Sequence, residues 1–232
     1  MGFPPTRWSA VVAARSGEAE ERKLGLSRIA ETYWKPVYKL LRLRWHKSHD
    51  DAAELTQEFF ARLVEDDVLA GYDPGKARLR TYLRTCLDAL VMNEDRDRRR
   101  LKRGGGHEIV SLDLAAAETE IASAAVPDDP DAFFEAEWVR SVFAAALARL
   151  REELKPHVFA VFDLYDIRGE EPRPTYVQIA SALAIKVTDV TNHLALARRE
   201  MRRITLETLR EMTVSEEEFR REARTLLGIE PS

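Results

Sequence analysis

The chain carries one cysteine, Cys86, in 232 residues, so it can close no internal disulfide and has no thiolate pair for a structural zinc site. Its five histidines are scattered apart from His46 and His49, and no carboxylate or thiolate pattern completes a metal site around that pair. Long apolar runs are missing as well. The longest, Val142 to Ala148, has seven residues, which excludes a membrane span and a secretory signal. Glycine and proline number ten each and β-branched stretches are few, while Ala, Leu, Arg and Glu abound, so the composition favours an all-α chain over any sheet. Catalytic signatures are also lacking. Gly104 to Gly106 follow a basic helix with no strand before them and no Gly-Lys-Ser/Thr after them, and the acid pairs Asp66/Asp67 and Glu152/Glu153 are adjacent, pointing to different helix sides. The expectation is a protein that is not an enzyme, needs no cofactor and resides in the reducing cytoplasm.

What the chain does have is charge, and the charge is segregated. Charged residues make up 33% and hydrophobic residues 45%, with a net charge of −4 that by itself argues against nucleic acid. Residues 1–103 nevertheless hold 21 Lys/Arg against 16 Asp/Glu, a balance of +5; residues 104–137 hold none against 9; residues 138–212 hold 12 against 10; residues 213–232 hold 3 against 5. Within the first block, residues 78–103 alone carry nine cations against four acids. Two basic blocks around an acidic segment are the footprint of a polyanion-binding protein, since a merely solvated face mixes its signs.

Apolar periodicity divides the chain into two small helical domains joined by an acidic flexible linker: 1–103, a linker at 104–131, 132–212, and a C-terminal helical extension at 213–232. A helix over 24–44, interrupted near Pro36, has its apolar positions at Ile29, Tyr33, Trp34, Val37, Leu40 and Leu41. A second, capped by Asp50 or Asp51, runs to about 66 with a stripe of Leu55, Phe59 and Leu63. The turn at Asp73-Pro74-Gly75 leads to a third over 79–103 built on Leu83, Leu87, Leu90 and Val91. The linker reads as a tether, flexible at its glycines and stiffer at its prolines, with only a weak helical tendency over 115–125. Downstream, 130–150 and 155–165 read as helices, and 175–203 has helix-turn-helix form. Ile179, Ala180 and Leu183 pack its first helix, 184–187 make the turn, and Val190, Leu194, Ala197 and Met201 form the buried stripe of its second. A last helix follows the capping-box pattern Ser215 to Glu218 and stops at Gly228.

Two motifs on either side of a linker resemble, in the same order, those of a bacterial extracytoplasmic-function sigma factor, a promoter-recognition subunit of RNA polymerase. Asp51-Ala-Ala-Glu-Leu-Thr-Gln-Glu-Phe-Phe60 is similar to the family's acidic polymerase-binding helix. Leu79-Arg-Thr-Tyr-Leu-Arg-Thr-Cys-Leu, running into Asn93-Glu-Asp-Arg-Asp-Arg-Arg-Arg100, is similar to the helix that opens and reads the downstream promoter element, and 175–203 to the domain that reads the upstream element. The resemblance spans roughly 6–212. It implies docking on the polymerase core through Asp51, Glu54, Gln57, Glu58 and Phe60. It implies tracking of the single-stranded non-template strand by Arg80, Arg84, Asn93, Arg96, Arg99, Arg100, Lys102 and Arg103. It implies duplex promoter DNA on Lys186, Thr188, Thr191, Asn192, His193, Arg198, Arg199 and Arg202. Ala53 stands where the family has an acid, Tyr82 where Trp is usual, Asn93 where Asp is usual and Leu196 where Arg is common. The acidic segment is expected near the polymerase's RNA exit path, or folded back on the Arg cluster in the free protein.

Several residues keep two readings. Tyr82 and Trp45 are core residues or base-stacking ones, Phe60 is core or docking surface, and Cys86 is read as a core thiol. Thr56 is either an ordinary semi-buried helix residue or a phosphorylation site whose added charge sits beside Ala53, so control is expected from a regulatory kinase, from an anti-sigma factor or from the C-terminal helix. The alternative for the whole chain is an ordinary helix-turn-helix DNA-binding regulator with an N-terminal sensor or dimerisation domain. No membrane partner is expected.

Overall fold

The computed structural model describes residues 10–65, 68–97, 113–122 and 128–228. The protein is all-α, with no strand among the described residues. In chain order the helices are α1 (Ala10–Ala14), α2 (Ala19–Leu43), α3 (His49–Glu65), α4 (Leu79–Asp97), α5 (Leu114–Ala122), α6 (Pro130–Glu153), α7 (Pro156–Phe162), α8 (Tyr176–Ala182), α9 (Val187–Glu211) and α10 (Glu216–Leu227). A short 3-10 turn, Val68–Gly71, follows α3, and one turn of π-helix, Asp163–Ile167, follows α7. No helix among the described residues is long and apolar enough to cross a membrane.

Two compact units result: 1–141 with 209–232, and 142–208. The first therefore includes residues 113–122 and the whole of α10, expected as linker and extension, and also the head of α6, expected from residue 132 on to belong to the second domain. Its core lies where the apolar stripes of α2, α3 and α4 meet, with Ile29, Val37, Leu40, Leu41, Leu55, Phe59, Leu83, Leu87 and Val91 all buried. The head of α6 adds Phe134 and Trp138, whose rings stack on Tyr33 at 6.3 and 6.4 Å. The second unit closes around Ala146, Leu150, Val158, Val161, Ile179, Val190, Leu194, Ala197 and Ile204.

Three expectations about elements are corrected. Helix α2 runs unbroken through Pro36. An interior proline costs about 3 kcal/mol through its missing N–H, and the burial of Pro36 and of the residues from Val37 to Leu41 outweighs that loss. The linker is not all tether, because residues 114–122 form a helix seated on α2; its glycines at 104–106 lie outside the described residues. The pattern at Ser215 is only half a capping box. Ser215 Oγ accepts from the Glu218 N–H, but the Glu218 carboxylate accepts from the Val214 N–H at 2.9 Å and not from Ser215. A reciprocal box forms at Thr175 and Gln178, opening α8.

The helix pair α1 and α2 meets at Gly25, where an added Cβ would sit 2.3 Å from the Ala14 nitrogen and 2.4 Å from the Ala10 oxygen. Backbone cannot yield there as a flexible side chain would. Gly25→Ala is expected to lose about 1–3 kcal/mol to overpacking, against a propensity gain of only ~0.5–1 kcal/mol. Chemical denaturation should show a lower midpoint; an unchanged or raised midpoint would contradict the close approach.

Candidate nucleic-acid interface

Helix α9 displays one polar face. Thr188, Thr191, Asn192, Ala195, Arg199 and Arg202 recur at three- and four-residue spacing and are all exposed, while Val190, Leu194, Ala197 and Ile204 bury the opposite side. Lys186 is exposed just before the helix, and its N–H donates to the Asp189 carboxylate, closing the first turn. Three short polar side chains near the N-terminus with cations a few turns on is the order that suits base edges first and phosphates after.

The other α9 candidates are partly engaged. His193 is half-buried, its ring 5.1 Å from that of His157. Arg198 donates twice to Asp166, both at 2.9 Å, and lies over the Tyr165 ring; the hydrogen bonds to Asp166 hold its pKa above the usual arginine value. Arg199 donates to Glu200 at 3.2 Å but stays exposed. Arg203, by contrast, is fastened to Glu200, Glu207 and Glu153, and its pKa is raised by those bonds. It belongs to a structural network. Sequence spacing missed Asp166, which pairs with Arg198, and Tyr165, whose ring takes both Arg198 and Arg173.

On α3 the acidic residues face outward in varying degree. Glu54 is exposed, Asp51 and Gln57 are half-buried, and Glu58 accepts from Arg62 at 2.6 Å. Two candidates on this helix are corrected. Phe60 is 2% exposed, edge-on to Phe59, and belongs to the core. Thr56 is wholly buried and its Oγ1 donates to the Ala52 carbonyl at 2.7 Å. A phosphate cannot be placed on that oxygen without opening the helix packing.

Helix α4 shows the largest departure from a free basic surface. Arg80 is 4% exposed: it donates to Glu222 and to Glu135, each at 2.7 Å, and lies 4.4 Å from the centre of the Trp138 ring. Burial opposes its charge, and the adjacent Glu222 more than restores it, leaving its pKa above the usual value. Arg84 pairs with Asp88 and Asp131. Asn93 is exposed and borders a mainly apolar cavity of about 220 Å³ that Phe59 and Cys86 also line. Burial pushes the Cys86 thiol up, away from reactivity. Tyr82 is half-buried, donating to the Val68 carbonyl at 2.6 Å. The Arg96 side chain and Arg99, Arg100, Lys102 and Arg103 lie outside the described residues.

A second charge cluster joins α5 to α2. Glu118 accepts from Tyr38, Arg42 and lies near His49, while Glu120 takes Lys35 and Lys39. Lys39 also reaches Glu137 at 2.6 Å in a buried pair. Glu118, Glu120 and Glu137 thus meet the α2 cations at i, i+4 and i+7, while the Arg cluster on which the acidic segment is expected to fold lies outside the described residues. The group of ≥3 ligands that a metal would need is not found among the described residues. Comparison with protein-family models, with curated proteins and with solved structures finds no match.

Hydrogen bonds from Arg42 hold the Glu118 carboxyl down at about 2, from a usual 4.5. A depressed acid stabilises the fold in full above its unfolded value and loses that contribution as pH falls through its folded one. Hydrogen exchange of Leu114–Ala122, corrected for intrinsic rates, should therefore be constant near neutrality and rise between about pH 4.5 and about pH 2. Glu118→Gln should raise it already at neutral pH. Equal protection in the two proteins would contradict the pairing.

Proposed function

We propose that the chain is an extracytoplasmic-function type sigma factor, which lends promoter specificity to an RNA polymerase core. The observation that carries this reading is the exposed α9 face of Thr188, Thr191, Asn192, Arg199 and Arg202 behind the four-residue turn after α8, together with a separate helix, α3, that offers acids outward. The α8–α9 pair serves as the helix-turn-helix, with α9 in the duplex major groove of the upstream element. Asp51, Glu54, Gln57 and Glu58 dock on the polymerase, and Arg80, Arg84 and Asn93 meet the single-stranded non-template strand. The sequence resemblance supplies the order of these parts, and the segregated charge supplies their sign.

Division of labour on α9 has measurable consequences. Asn192→Ala in the full chain is expected to cost ~1–3 kcal/mol at the base it reads and to relax preference there. Arg202→Ala should weaken all sequences alike and lower the salt slope by about 1. Binding to a randomised duplex pool at several salt concentrations distinguishes them, and identical effects on every sequence would contradict the assignment.

Docking on the core is tested by pull-down. Glu54→Lys combined with Glu58→Lys replaces two carboxylates with cations, each lost contact worth on the order of 1–3 kcal/mol. Core capture should fall at least tenfold. Unchanged capture would remove α3 from the docking surface, and a free protein that dimerises on palindromic DNA would favour an ordinary regulator.

A further inference from the structure

Helix α10 is amphipathic in an unusual sense: its buried face carries acids. Glu218 and Glu222, one turn apart, are 3% and 2% exposed, whereas Arg220, Arg221 and Arg224 on the same helix point to solvent. Phe219 and Ala223 are its buried apolar residues and Leu226 and Leu227 are half-buried, with Arg210 over the Phe219 ring at 4.0 Å. Glu218 accepts from the Tyr72 hydroxyl at 2.7 Å, and Glu222 accepts from Arg80 at 2.7 Å with Arg78 Nε at 3.4 Å. The head of α6 completes the pattern. Glu135 accepts from Arg78 and Arg80, and Asp131 pairs with Arg84. All three cations at and before the first turns of α4 are thus met by carboxylates from elsewhere in the chain.

Stability alone does not call for this arrangement. A buried ion pair recovers in Coulomb energy and hydrogen bonds roughly what it loses in desolvation, and apolar residues of similar volume hold a helix at least as well. What carboxylates on guanidinium groups do provide is a stand-in for phosphate oxygens, in the same forked geometry. They also make the contact sensitive to a competitor of the same charge. Glu135 and Asp131 are 42% and 61% exposed and can turn away to water, so the buried partner is Glu222, on the helix that follows the short segment after α9.

We infer that α10 is a built-in inhibitor that occupies Arg78 and Arg80 in the free protein and competes there with single-stranded nucleic acid. The inference rests on the reading of α4 as the strand-tracking helix and adds how that surface is controlled. Binding of the strand requires α10 to leave, so apparent affinity is reduced by the fraction of molecules in which α10 is out. The protein then holds DNA weakly on its own, and anything that draws α10 away frees the arginines.

The full-length chain with Glu218→Gln and Glu222→Gln tests this, with Glu216→Gln and Glu217→Gln together, two exposed positions on the same helix, as the control for net charge. Affinity for a fluorescent single-stranded oligodeoxynucleotide at fixed salt should rise about tenfold or more in the double variant, with its circular dichroism unchanged, and stay near the unmodified value in the control. Hydrogen exchange on the unmodified chain is the second readout and does not depend on the variant folding. Saturating oligonucleotide should strip protection from 216–227 while α2 and α3 keep theirs. A double variant that binds no tighter than the control, an oligonucleotide that binds without exposing α10, or no binding by any of the proteins would each overturn the inference. Core pull-down of the same proteins separates the two claims: release of α10 without core capture sinks the sigma reading alone, and core capture with α10 still protected sinks the inhibition alone.

Discussion

Arg80 is the point on which the first unit turns. Placing a guanidinium among Tyr33, Trp138 and the first turn of α4 carries a desolvation penalty of several kcal/mol unless every donor finds an acceptor. Two elements meet that demand together: α6 through Glu135 and the Trp138 ring, and α10 through Glu222. The same pairing ties a helix near the end of the sequence to the first hundred residues. The Tyr72–Glu218 bond, spanning 146 positions, adds a second buried polar contact beside it.

Elsewhere in this unit the acids of residues 113–137 behave as ligands for its own cations. Glu118 and Glu120 on α5 and Glu137 on α6 meet the Lys35, Lys39 and Arg42 row of α2. The net charge of −9 over 104–137 and the +5 over 1–103 therefore have a partly internal account. The exposed pairs among these contribute little to stability individually. Their importance is positional: they fix which cations are open to a polyanion and which are already occupied. In the second unit the division is similar, with Arg203 spent on Glu153, Glu200 and Glu207 and Arg202 left on the outward face of α9.

Helix types and core stripes were legible because periodicity is a local property. Leu55, Phe59 and Leu63, or Val190, Leu194 and Ala197, announce a buried face wherever the helix ends up. Pro36 misled because a local cost of about 3 kcal/mol is set against packing that no window of sequence contains. Thr56 and Phe60 kept two readings for a related reason, since a motif gives the neighbours along the chain and not the depth of the helix in the core, where both are buried. Arg80 shows the limit most clearly. Nothing near it in sequence says that its partners stand 55 and 142 positions away. Its charge was readable, its occupancy was not.

The central claim is that these surfaces serve transcription initiation, and reconstituted run-off transcription addresses it most directly. Purified chain is added to RNA polymerase core lacking any other specificity subunit, on fragments of the DNA of the source cell. The account predicts discrete transcripts that require both proteins and that disappear when Arg199 and Arg202 are both replaced by Ala. Transcription no different from core alone on every fragment, with the chain folded and the core active, would contradict it.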